Sequence, residues 1–189
     1  MVAVAVTVNK QQLAEVTGLL GSAAKQLPLA LSNAVNDTAK REVVFLSKRI
    51  RETVAIKAKD IKKYLKRTRA TPGRPVAHVE LSESDRLPLK YFSARQTAKG
   101  VSYKIQKSGG RELVPGAFGP TMPRLGHHAF KREGKKRFPI IKLHGPSPGA
   151  VAVASGIDKE AEFDATVELE KNVNRRIKLI LLRKQGIVK

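Results

Sequence analysis

Residues 27–54 read LPLALSNAVNDTAKREVVFLSKRIRETV, and this stretch decides the fold. Its apolar residues Leu27, Leu31, Val35, Ala39, Val43, Leu46, Ile50 and Val54 recur at steps of four, with a single step of three. That spacing is one stripe of an α-helix, whose side chains return to the same face every three to four residues. At 1.5 Å per residue the helix would run roughly 40 Å. An element that long, against a usual helix of about 10–14 residues, crosses a sheet or packs beside copies of itself.

Working outward, residues 3–8 alternate like a short strand, and Asn9 reads as the cap of a helix with Leu13, Val16 and Leu20 on one face, interrupted by Gly18, Gly21 and Pro28. Downstream, Ile61 and Leu65 stand four apart and predict a second helical stretch over 59–65, merging into strand-like residues 66–71. Pro72-Gly-Arg-Pro75 then forces a turn. Residues 76–81, 87–92 and 101–105 alternate apolar with polar, and Gly109-Gly110 separates 104–106 from 112–114 as a hairpin would. A further hairpin joins 129–132 to 137–143 around Glu133-Gly-Lys135 and closes at Gly145-Pro-Ser-Pro-Gly149.

Ser155 or Asp158 is placed to cap a last helix with the stripe Phe163, Val167, Val173, Ile177, Ile180 and Leu181. Acidic residues fill its first half and basic ones its second, the order the helix dipole favours, and Gly186 ends it. The expected fold is α+β: a long N-terminal helix packed on an antiparallel β-sheet with hairpins, plus a C-terminal amphipathic helix. Residues 1–189 read as a single domain with an N-terminal arm at 1–26, a helical region at 27–65, a basic β-sheet region at 66–146 and the final helix at 155–186.

Charge limits what such a fold could do. The 189 residues carry 37 Lys and Arg against 16 Asp and Glu, a net charge of +21. Residues 40–142 alone hold 27 of the basic residues and 8 of the acidic ones. A surplus of that density is the footprint of a polyanion partner, most often nucleic acid. No uncharged run approaches the roughly 20 apolar residues a membrane span needs. The absence of cysteine removes disulfides, thiolate zinc sites and thiol nucleophiles together. The start, Met1-Val-Ala-Val-Ala-Val6, lacks the basic segment of a signal peptide, so the chain is expected in the cytoplasm or in a particle assembled there.

Catalytic signatures are missing. There is no G-x-S-x-G, H-E-x-x-H or phosphate-loop pattern, and Gly134-Lys135 lacks both the upstream glycine and the following Ser or Thr. Gly116-Ala-Phe-Gly119 has the G-x-x-G form of a nucleic-acid clamp, but it reads more simply as a turn. His127, His128 and His144 read as surface or hydrogen-bonded histidines, and Glu80, Glu83 and Asp85 as local balance for basic neighbours. No enzyme activity, cofactor or metal is expected.

Two basic clusters are the candidates for phosphate contact in a DNA channel. Lys57, Lys59, Lys62, Lys63, Lys66, Arg67 and Arg69 place seven cations in thirteen residues, and on a continuous helix Lys59, Lys62, Lys63 and Lys66 would share a face. Lys131, Arg132, Lys135, Lys136 and Arg137 ring the tip of the last hairpin. Phosphate contacts of this kind give affinity and salt dependence without sequence readout. Tyr64, Tyr91, Phe92 and Tyr103 look like isolated core positions, so no stacking platform for single strands is expected.

The same region carries a family likeness. Ile56-Lys-Ala-Lys-Asp-Ile61, Arg69-Ala-Thr-Pro-Gly-Arg74, Leu87-Pro-Leu89, Phe92-Ser-Ala-Arg-Gln-Thr97 and Lys99-Gly-Val101 resemble, in this order, the minor tail protein Z family of lambdoid phages and prophages. Val114-Pro-Gly-Ala-Phe118, Met122-Pro123, Phe130-Lys-Arg132, Phe138-Pro-Ile140 and Gly145-Pro-Ser147 continue it, so that the likeness covers roughly residues 31–150. The resemblance implies a structural tail completion protein, added at the head-proximal end of a long non-contractile tail. By the same resemblance it would form a homo-oligomeric ring of six around the DNA channel. Its implied partners are the tail terminator protein, the head–tail connector proteins and the end of the double-stranded DNA. Its implied location is the neck of the virion, without membrane contact. Two rivals from other classes share the composition: a ribosomal-type RNA-binding protein and a DNA architectural protein that bends free duplex.

Overall fold

The computed structural model describes residues 2–6, 17–18 and 21–187. Strand β1 (Val2–Val6) is followed by a 3₁₀ turn at Gly21–Gln26 and by helix α1 (Leu27–Thr53). Then come a single turn of helix, α2 (Ala58–Ile61), a 3₁₀ turn at Lys62–Tyr64, and strands β2 (Leu65–Arg67) and β3 (Ala77–Leu81). Strands β4 (Arg95–Thr97), β5 (Gly100–Tyr103), β6 (Glu112–Pro115), β7 (Phe130–Arg132) and β8 (Ile140–Lys142) precede helices α3 (Pro148–Ala154) and α4 (Ile157–Lys184). The expected helix with Leu13, Val16 and Leu20 lies outside the described residues. The architecture is α+β, with a long N-terminal helix, antiparallel sheets and a C-terminal helix.

The chain forms two compact units. The first contains Ser47–Tyr64 and Leu81–Ile157; the second contains the described parts of Ala3–Leu46, Leu65–Glu80 and Asp158–Lys189. The α1 stripe is buried as its spacing requires: Leu27, Leu31, Val35, Ala39, Leu46 and Ile50 are inaccessible, and Val43 is half-buried. Pro28 sits in the first turn, where its missing N–H would have had no partner in any case.

In the second unit, α1 packs against α4. Leu27, Ala30, Leu31 and Ile180 form an apolar cluster with Val173, Ile177 and Leu181 against it. Further along, the interface is polar. The Asn172 amide donates to Thr38 Oγ1 at 3.0 Å, and Arg176 meets Asp37 at 2.6 Å. Arg41 reaches Glu168 at 3.3 Å and Asp164 at 3.7 Å.

Glu42 is fully buried here, and neither of its oxygens, nor Asp164 Oδ2, makes a hydrogen bond, the 3.7 Å approach of Arg41 to Asp164 being too long for one. Two carboxylates cannot satisfy one another, whereas a proton kept on Glu42 and donated to Asp164 supplies the missing donor. Burial first, and then the hydrogen bond and charge of Asp164, push the Glu42 carboxyl up to about 8. Glu42 is therefore a neutral acid in the folded protein at neutral pH.

Several expectations are corrected. One residue of the stripe assigned to the last helix is off its buried face: Ile180 is buried with Val173, Ile177 and Leu181 packed beside it, whereas Phe163 is 74% exposed and Ala161 and Ala165 are buried in its stead. At 100° per residue Phe163 lies about 200° from both Ala161 and, counting back, Ala165, so small side chains keep the helical period and the large one faces water. Neither Ser155 nor Asp158 caps that helix. Gly156, at φ 68°, precedes it, and Ser155 instead closes α3, a helix that the sequence pattern did not predict. The signals for α3 were local: Ser147 accepts from the Ala150 N–H, and Pro148 occupies the first turn. Gly186 does end α4, with Ile187 N–H returning to Leu182 and Gly186 N–H to Arg183.

Residues 87–92 are not a strand. They turn as 3₁₀ helix at Leu89–Phe92, which puts the buried Leu89 and Phe92 three apart on one side, and Pro88 supplies the fixed entry angle. The single antiparallel sheet is instead three small sheets, ordered β1-β3-β2, β4-β5-β6 and β7-β8. Both expected hairpins exist. In β5–β6, Val101 faces Val114 and Tyr103 faces Glu112; in β7–β8, Phe130 faces Lys142 and Arg132 faces Ile140. Gly100 begins β5 at φ 149°, and a Cβ there would collide with the carbonyl of Val114 across the ladder. Of the four aromatics expected in the core, only Phe92 is fully buried; Tyr64, Tyr91 and Tyr103 are half-exposed, and the Tyr103 hydroxyl donates to Glu112 at 2.5 Å. That bond, with partial burial, pushes the Tyr103 phenol up to about 12.

Candidate nucleic-acid interface

The run of seven cations from Lys57 to Arg69 does not lie on one helix. Helix ends at Ile61 and the chain is extended from Leu65, because β2 pairs beside β3 and tertiary pairing overrides the local helical spacing. Lys59, Lys62 and Lys63 therefore do not share a helical face with Lys66, and the run is divided between the two units at Tyr64.

In the first unit, Lys57, Lys59, Lys62 and Lys63 are exposed around α2. Lys63 is held by the buried Asp60 at 3.2 Å and lies 5.6 Å over the Tyr91 ring. The Asp60 hydrogen bond, with the charge of Tyr91, raises the Lys63 pKa, so this cation has a structural partner.

The five cations of the last hairpin are also in this unit, and all are exposed. Arg132 stacks 4.9 Å over Phe118, and Arg137 lies 5.8 Å from the centre of the exposed Phe138 ring. Lys131, Lys135 and Lys136 carry no ion pair among the described residues and project into solvent.

The G-x-x-G segment is a turn, as read. Gly116 N–H donates to Lys99, Ala117 N–H to Val114 and Phe118 N–H to Phe130, so its amides are used within the protein. Beside it, Lys90 Nζ lies 3.0 Å from His128 Nε2 and 3.1 Å from the Gly126 carbonyl. Burial, then the charges of Lys90 and Lys142, hold His128 below the ordinary histidine range. His127 Nδ1 lies 3.0 Å from the Pro120 carbonyl. Among the described residues no three His, Asp or Glu side chains gather as a metal site.

In the second unit, Lys66 is exposed on β2, and Arg67 and Arg69 converge with Lys40 on one surface cleft of about 240 Å³. Asn33, Asn36 and Asp37 complete its lining. The α1 residues at 33, 36, 37 and 40 are the polar face opposite the apolar stripe. Asn36 clamps the other wall. Its amide donates to the Ala70 carbonyl at 2.9 Å and its oxygen accepts the Ala70 N–H at 3.0 Å.

Burial would raise the Asp37 carboxyl, but hydrogen bonds and charge from Arg176 and Lys40 outweigh it and hold the group below its ordinary value. Asp37 is thus an anion already committed to Arg176, while Arg67 and Arg69 have no carboxylate partner among the described residues. Lys40 was missed in the sequence because it stands on the long helix, and only the Asn36–Ala70 clamp brings that helix face to the two arginines.

No helix among the described residues is long and apolar enough to cross a membrane. Searches for similar curated proteins and for similar solved structures find no match. The family model described as prophage minor tail protein Z matches residues 13–183, nearly the whole chain, which extends the likeness well beyond the central motifs. The chain belongs to the prophage minor tail protein Z family, and is a phage minor tail protein.

Proposed function

We propose that this chain is a tail completion component, positioned at the head-proximal end of a long non-contractile tail, where six copies form a ring around the DNA channel and touch the end of the duplex. The observation that supports this most is the disposition of charge. Among the described residues, cations stand without carboxylate partners in both units, at the exposed Lys131, Lys135, Lys136 and Arg69 and at the half-buried Arg67.

A ring multiplies each such cation around the channel, and contacts to phosphates need no sequence code. The tail terminator protein and the head–tail connector proteins are the proposed neighbours. The role is structural, with no reaction catalysed and no cofactor required. A ribosomal-type RNA-binding role receives no support from the family to which the chain belongs.

The test is complementation. A prophage lacking this gene is induced, and purified protein is added to the lysate. The proposal expects heads filled with DNA and full-length tails, few infectious particles, and a rise in titre on addition. A fully infectious deletion lysate, or tails that never form, would contradict it.

A further inference from the structure

We infer that the cleft formed by Lys40, Arg67 and Arg69 binds a backbone phosphate of duplex DNA, an inference that rests on the DNA-channel role proposed above. Every side chain lining the cleft is polar or charged. Three cations face one carboxylate, Asp37, which is held by Arg176 at 2.6 Å and by Lys40 at 3.4 Å. The cleft is therefore an anion site with two guanidinium groups that have no carboxylate partner among the described residues.

Guanidinium forks match the paired oxygens of a phosphodiester, which a flexible ammonium does not. The site is also built before any ligand arrives. Asn36 fixes the main chain at Ala70, the residue after Arg69, through both its N–H and its C=O, and Thr68 between the arginines donates its N–H to His78 at 2.9 Å. Holding the backbone on either side of Arg69 reduces the ordering cost of binding. No aromatic side chain lines the cleft, so bases have no surface to stack on, and a duplex with its bases sheathed fits better than a single strand. Asn33 Nδ2 and the Lys40 ammonium are further donors for the remaining phosphate oxygens.

The experiment uses the full chain and a fluorescein-labelled random-sequence duplex, with anisotropy followed over a range of NaCl. Arg67→Gln with Arg69→Gln is expected to weaken binding tenfold or more at about 0.1 M salt and to reduce the slope of log K against log salt by about 2. Lys171→Gln with Lys178→Gln, which removes the same charge from the exposed side of α4, should change affinity less than about threefold. Arg67→Lys with Arg69→Lys should retain the slope and still lose affinity, because charge is kept and the fork is not.

Equal losses in the two Gln pairs, or an unchanged slope, would overturn the assignment. Binding of inorganic phosphate at the cleft, seen by isothermal calorimetry, without any duplex binding would overturn the DNA part of it. The assay needs no virus particle, so the cleft can fail while the neck position stands, and the reverse.

Discussion

Replacing Glu42 with Gln should stabilise the second unit at neutral pH and leave it unchanged in acid. The folded protein holds the Glu42 proton to about 8, against a value of 4.5 for the free side chain. Between those values the unfolded chain releases a proton that the folded chain keeps. Rising pH therefore favours unfolding, and stability falls from about pH 4.5 upward until Glu42 itself ionises near 8. Each pH unit within that window costs about 1.4 kcal/mol, so at pH 7 the loss reaches about 3 kcal/mol.

Gln has nearly the shape of the neutral acid, and its amide N–H can donate to Asp164 without any proton being held. Glu42→Gln should then be about 3 kcal/mol more stable than the parent at pH 7 and equal to it near pH 4. Urea unfolding followed by far-UV circular dichroism at several pH values reads the difference directly, and taking variant minus parent removes the contribution of every other carboxylate. A variant that is destabilised at pH 7, or that differs from the parent by the same amount at pH 4 and pH 7, would refute the neutral-acid account.

Gly145→Ala should destabilise the first unit by about 2 kcal/mol in the same assay, because the new Cβ would lie 2.5 Å from the edge of the fully buried Phe92 ring. His128 should titrate below the ordinary histidine value in an NMR pH series, and Lys90→Gln should move it upward, since burial and the nearby ammonium both disfavour its charged form. Because the unfolded chain takes up that proton first, His128 should contribute stability that is lost as pH falls below about 6.5. Phe163→Ser should leave stability within about 0.5 kcal/mol of the parent, as the ring already faces water.

What the sequence disclosed follows the range of the forces involved. The α1 stripe was legible because burying one helix face imposes a local period, and Leu27, Leu31, Val35 and Ile50 all obey it. Both hairpins were legible for the same reason, since Gly109-Gly110 and Glu133-Gly134 mark turns within a few residues of the strands they join. Some failures had local signals, Pro88 before Leu89–Phe92 and Ser147-Pro148 at the start of α3, that the alternation and the Gly/Pro run outweighed. The β2–β3 pairing, in contrast, needed information from elsewhere in the chain. On α4 the stripe holds from Val173 to Leu181 and fails at Phe163, where the large residue faces water and Ala161 and Ala165 carry the buried face.

The candidate site divides in the same way. Its basic character was plain from composition, and Arg67 and Arg69 were named among the candidates. Lys40 could not be joined to them without the Asn36–Ala70 clamp, which spans 34 positions. The burial of Glu42 beside Asp164 depends on how α1 and α4 pack, which no local pattern encodes.

The central claim is the position of this chain in the particle. Electron microscopy of purified virions carrying a gold-labelled tag on the chain tests it most directly. The account predicts label at a single place on each particle, the junction of head and tail. Label at the far tip, label distributed along the tail tube, or particles without label would contradict it.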